Sequence, residues 1–89
     1  MTASDAVRVD KWLWSVRLYK SRTLASAACL AGAVHINGAA VKPSRTVHVG
    51  DVISARIGEI TRTVKVVALL ESRVGAKLVP QFMQDLTPA

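Results

Sequence analysis

A chain of 89 residues, 51% hydrophobic and 20% charged, has material for one packed core and is too apolar to be a disordered arm. Twelve Lys and Arg against six Asp and Glu leave a net charge of +6, so a polyanion is the first partner to consider. The single cysteine excludes an internal disulfide framework, and no apolar run approaches the ~20 residues that span a bilayer, so the chain is expected in a reducing cytoplasm with no export signal and no membrane partner.

Residues 1–7 are small and polar without a period and read as a flexible N-terminal tail. From Asp10, a good N-cap, to Tyr19 the apolar positions Trp12, Leu13, Val16 and Tyr19 fall at helical spacing and predict a first helix. Ser21 can cap a second helix through Leu24, Ala25, Ala28 and Cys29, which stops at Gly32 because glycine accepts the positive φ of a helix end. The period then changes to two. Val34 and Ile36 alternate with His35 and Asn37, and Asn37-Gly38 predicts a hairpin. Gly50-Asp51 and Gly58-Glu59 mark further turns around a strand from Val52 to Ile57, and residues 60–70 complete the sheet. The expected fold class is α+β, with two N-terminal helices on a small, mostly antiparallel sheet. Residues 8–70 form the domain, and 71–89 form a C-terminal extension packed over one edge or partly mobile.

The charge is uneven. Residues 1–45 hold seven basic and two acidic side chains, residues 46–89 five and four, so the helical half is the electropositive one. Arg8, Lys11, Arg17, Lys20 and Arg22 cluster on or beside the two helices with Asp10 as their counter-charge, which fits either a solvated face or a nucleic-acid site. With Ser21 as N-cap the third helical position is Leu24, so no acidic side chain closes the helix end. Its free N–H groups, the dipole, Lys20 and Arg22 describe a phosphate-binding corner. The outer face of this helix offers Thr23 and Ser26 but no Arg, Asn or Gln, which argues against base readout in a DNA groove and for shape recognition of folded RNA.

Lys42 and Arg45, in the loop after the first hairpin, either extend the basic surface or are plainly solvated. Trp12 and Trp14 point to different sides of a helix; one seals the core, and the other either rims it or stacks on an unpaired base. His35 and His48 with Cys29 make a weaker metal reading than histidines alternating with valines in strands. The chain carries no phosphate loop, metal-ligand spacing or catalytic constellation, so neither enzyme activity nor a cofactor is expected.

The ordered series Arg8 to Trp14, Arg17, Tyr19 to Arg22, Ala25, Gly32, Val34, Ile36 to Gly38, Lys42 to Ser44 and Val49 to Asp51 resembles the alpha-L RNA-binding domain. That module is named after small-subunit ribosomal protein S-four; among its stand-alone members the chain is most similar to the heat-shock protein 15 family of ribosome-associated proteins. The resemblance covers residues 8–57 and implies RNA contacts at Arg8, Lys11, Arg17, Lys20, Ser21 and Arg22, extended to Lys42 and Arg45. It implies binding of ribosomal RNA or tRNA on the large ribosomal subunit, in rescue or quality control of stalled translation. Some members add a long basic C-terminal helix, whereas here Arg73 and Lys77 are balanced by Glu71 and Asp85. Two other readings are an accessory RNA-binding subunit for an RNA-modifying enzyme and a basic protein-interaction module. The lack of a heptad pattern predicts a monomer.

Overall fold

The computed structural model describes residues 7–70 and 72–88. The elements follow in the order β1 (Val7–Arg8), α1 (Val9–Ser15), α2 (Arg22–Leu30), β2 (Val34–Ile36), β3 (Ala39–Ala40), β4 (Thr46–Val47), β5 (Val52–Ile57), β6 (Ile60–Val66), a 3-10 helix (Ala76–Gln81) and β7 (Met83–Asp85). Two helices packed on a mostly antiparallel sheet make an α+β fold, as the sequence predicts. Among the described residues the main sheet runs β3-β2-β5-β6-β7, and β1 pairs separately with β4.

The sequence signals explain most of this. Asn37 (φ 51) and Gly38 (φ 87) give the two positive-φ positions of a tight hairpin turn between β2 and β3. Ile57 faces Ile60 across the Gly58-Glu59 turn that joins β5 to β6. Alternate residues point inward along the strands, so Val34, Ile36, Ile53, Ala55, Val64 and Val66 are buried against Trp12, Leu13 and Val16 of the α1 region and Ala25 and Cys29 of α2.

Three expectations are corrected and a fourth is made specific. The expected tail includes Val7, but Val7 is 2% exposed and pairs with Val47; residues 1–6 lie outside the described residues. The first helix is Val9–Ser15 rather than 10–19, with Arg8 and not Asp10 at the N-cap. Its first N–H groups, those of Val9 and Asp10, donate to the carbonyls of Arg45 (2.7 Å) and Pro43 (3.4 Å), so a loop distant in sequence takes the place of a capping side chain. The helix ends early because Arg17 adopts φ 64, with Arg17 N–H donating to Trp14 and Leu18 N–H to Leu13, a Schellman closure that ordinarily recruits glycine.

The sequence predicts that the strand completing the sheet runs from Ile60 to Leu70. It stops at Val66, after which the N–H groups of Val67 and Ala68 both turn to the carbonyl of Phe82. Finally, the C-terminal extension, expected over one edge or partly mobile, lies on a sheet edge and supplies part of the fold itself: β7 pairs antiparallel with β6 and buries Met83. An extension of unclear period hid a three-residue strand because its register is set by β6 rather than by its own composition.

Candidate nucleic-acid interface

The second helix begins as its sequence requires. Ser21 is extended (φ −142, ψ 159) and its Oγ accepts the N–H of Leu24 at 3.1 Å. Ala25 N–H donates to the Ser21 carbonyl, which leaves the N–H groups of Arg22 and Thr23 without an acceptor among the described residues. Lys20 is exposed and has no side-chain partner among them. At the other end Gly32 (φ 77) closes the helix, its N–H on Cys29 and that of Ala33 on Ala28.

Around this corner the tertiary structure assembles cations from three segments. Arg8, at the end of β1, donates from Nε (3.2 Å) and Nη2 (3.0 Å) to the Asp10 carboxylate, and Arg22 Nε of α2 lies 3.6 Å from the same group. The Asp10 side chain is 4% exposed, those of Arg8 and Arg22 48% and 46%, so a buried anion anchors two half-exposed guanidiniums. They open onto a groove of about 480 Å³ whose wall along α2 is Thr23, Ser26, Ala27 and Leu30. A second cavity of about 320 Å³ is lined by Ala40, Val41, Lys42, Ser44 and Arg45. The backbone bonds from Val9 and Asp10 hold this loop on the α1 entrance, so Lys42 and Arg45 lie in the segment that closes the helix carrying Asp10.

The remaining expected site residues are less closely gathered. Lys11 lies in the first turn of α1 and is half-buried. Arg17, at the opposite end of that helix, donates from Nε to the Val74 carbonyl at 2.7 Å and so ties the C-terminal segment down. Sequence reasoning named Thr23 and Ser26 on the outer face of α2 but missed Ala27 and Leu30, although the four recur at the 3–4 spacing of one helix face. It named Asp10 as the counter-charge of the basic cluster but not as the anchor of Arg8 and Arg22, because nothing local announces an ion pair with a residue of the next helix.

Trp12 is fully buried and donates from its indole to the Ala68 carbonyl at 3.0 Å, while Trp14 is half-buried beneath Arg73, whose Cζ is 6.0 Å from the ring centroid. His48 stays exposed beside Asp51, and His35 lies in β2; among the described residues no cluster has metal-ligand character. No described helix is long and apolar enough to cross a membrane.

Comparison with known proteins settles the lineage. The S4 domain matches residues 7–53, a span that holds α1, α2 and the loop seated on them. A trimeric structure of heat shock protein 15 from Vibrio cholerae superposes with a TM-score of 0.86 at 39% identity, covering 90% of this chain and 81% of that one. The chain belongs to the S4-domain family, in its heat shock protein 15 branch. A heat shock protein 15 homolog from Haemophilus influenzae is 42% identical over 83% of this chain, and an "RQC P-site tRNA stabilizing factor" from Helicobacter pylori is 54% identical over 54% of it. The chain spans 56% of the first relative's length and 57% of the second's. The S4 match contains all eight residues that the sequence nominates for RNA, from Arg8 to Arg45.

Proposed function

We infer that the chain is an RNA-binding module that grips structured RNA, ribosomal RNA or tRNA on the large ribosomal subunit, through Arg8, Lys11, Arg17, Lys20, Ser21, Arg22, Lys42 and Arg45. It performs no chemistry and needs no cofactor; its task is to hold RNA during rescue or quality control of stalled translation in the cytoplasm. The observation that carries this reading is the seating of the Lys42–Arg45 loop on the entrance of α1, beside the Arg8–Asp10–Arg22 cluster. Exposed cations flanking α1, at the start of α2 and in one loop suit a phosphate backbone that follows a shape, and the short side chains of α2 suit no base code. The relative named for stabilising a P-site tRNA supports the same assignment. The sequence predicts a monomer, and the Vibrio relative is described as trimeric, so the mass of the free protein belongs in the same test.

The test is co-sedimentation of the tagged chain with cell lysate through a sucrose gradient, beside the variant Lys42→Glu/Arg45→Glu. Both side chains are exposed and without ion-pair partners among the described residues, so reversing them leaves the core intact. Wild type is expected with the large subunits and the variant near the top. Wild type that stays at the top, or that survives nuclease treatment in a protein complex, overturns the reading in favour of an accessory or protein-binding role.

A further inference from the structure

Simple charge attraction leaves Asp10 unexplained. A surface that holds phosphate gains nothing from a carboxylate at its centre, yet Asp10 is 2% exposed between two arginines of the site. It is not there to cap α1, whose first N–H groups are taken by the carbonyls of Arg45 and Pro43. Both carboxylate oxygens instead face guanidinium groups, Oδ1 toward Arg8 Nε (3.2 Å) and Arg22 Nε (3.6 Å), and Oδ2 toward Arg8 Nη2 (3.0 Å).

We propose that Asp10 is a positioning residue of the RNA site, fixing the Arg8 and Arg22 guanidiniums in one orientation so that their remaining N–H groups already face the groove along α2 when a phosphate arrives. The proposal rests on the RNA reading above. A guanidinium carries five N–H donors in a rigid fork, so one edge can bind the carboxylate while the others stay available for phosphate. A free surface arginine surrenders its rotamer freedom on gripping a ligand; one already held has made that loss during folding. The burial of Asp10 keeps water from competing for the pair, while the half-exposure of both arginines leaves their outer edges in solvent.

Positioning and bulk attraction predict opposite signs for Asp10→Asn. The substitution raises the net charge from +6 to +7, so attraction alone predicts tighter binding to RNA. Positioning predicts roughly tenfold weaker binding, the weight of ordering two long side chains at the moment of contact. The measurement is a titration of N-terminally labelled protein with purified large ribosomal subunits by fluorescence anisotropy, at a temperature where melting curves show every variant folded. The same substitution is repeated in an Arg22→Ala background, where positioning requires its penalty to be smaller on a logarithmic scale, the remainder being the hold on Arg8. A purely structural defect leaves that penalty unchanged.

Weaker binding by Asp10→Asn with a reduced penalty beside Arg22→Ala supports the proposal. Binding at or above wild type, or an equal penalty in both backgrounds, overturns it. Should Asp10→Asn not hold its fold, Asp10→Glu carries the test: the net charge is unchanged and the carboxylate moves by one methylene, so weaker binding supports positioning and unchanged binding overturns it. Wild type that does not bind at all overturns the RNA reading and this inference with it.

Discussion

Cys29 and Tyr19 show how one position in the fold sets the chemistry of a side chain. The thiol of Cys29 is 4% exposed on the inner face of α2, and burial first, with the Asp10 carboxylate second, pushes it from 9.0 up to about 11. Burial also raises the Tyr19 phenol, whose hydroxyl donates to the Arg56 carbonyl at 2.8 Å, with Cys29 as the lesser cause. The folded thiol therefore keeps its proton across a window in which the unfolded thiol has lost it. The native state binds more protons there, so stability is unaffected below the unfolded value and falls as pH rises from about 9 toward 11. Urea unfolding midpoints measured from neutral pH upward are expected to decline through that window, and Cys29→Ala should flatten the onset of the decline. A thiol reagent near neutral pH should modify the native protein only as fast as it unfolds. The two tryptophans divide by the same logic: Trp12 spends its indole N–H on Ala68 inside the core, and Trp14 stays at the rim under Arg73.

The turns do more at the scale of the element than reverse the chain. Asn37 is a hairpin residue by sequence, but its side chain also crosses to the neighbouring strand: Oδ1 accepts the Val52 N–H at 3.0 Å and Nδ2 donates to Asp51 at 3.2 Å. Asp51 in turn accepts the His48 N–H, so the β2–β3 turn and the entry to β5 share one polar latch. Two substitutions separate the backbone role from the latch. Asn37→Gly keeps the positive φ at little steric cost but loses the latch, for about 1–2 kcal/mol by denaturant unfolding. Asn37→Ala loses the latch and also forces a Cβ into the left-handed region, so it is expected to be the less stable of the two by about 1 kcal/mol. The early end of α1 is a similar compromise. Arg17 occupies a position glycine would favour, and its guanidinium ties the helix to Val74 in return.

The C-terminal segment belongs to the whole molecule's cooperative unit. It closes the sheet through β7, caps the turn after β6 through Phe82, meets α1 through Val74 and Arg73, and pairs Arg62 with Asp85 at 2.8 Å. Asp85 is held below its usual range by its bonds to Thr87 and then by Arg62. A chain cut after Leu70 loses β7, uncovers Val64 and Val66 and leaves the Arg17 tie without its acceptor. It is expected to lose its cooperative melting transition, or to melt more than about 10 °C lower, as read by circular dichroism. An unchanged melting curve would return residues 71–89 to the role of an appendage.

The α+β class, both helices, the Asn37-Gly38 hairpin, the Ser21 cap and the Gly32 stop follow from local patterns, because periodicity, capping and turn chemistry act over a few neighbouring residues. The basic character of the helical half is local too, being composition. The tertiary structure alone decided that Asp10 anchors Arg8 and Arg22 instead of capping its helix, that the 42–45 loop closes α1, and that residues 83–85 are a strand. Each of these depends on a partner distant in sequence: a backbone carbonyl from another segment satisfies the helix end, an arginine of the next helix meets the carboxylate, and β6 supplies the register for β7. A hydrogen bond or an ion pair needs two groups at one place, and the sequence names both groups without saying that the fold will bring them together.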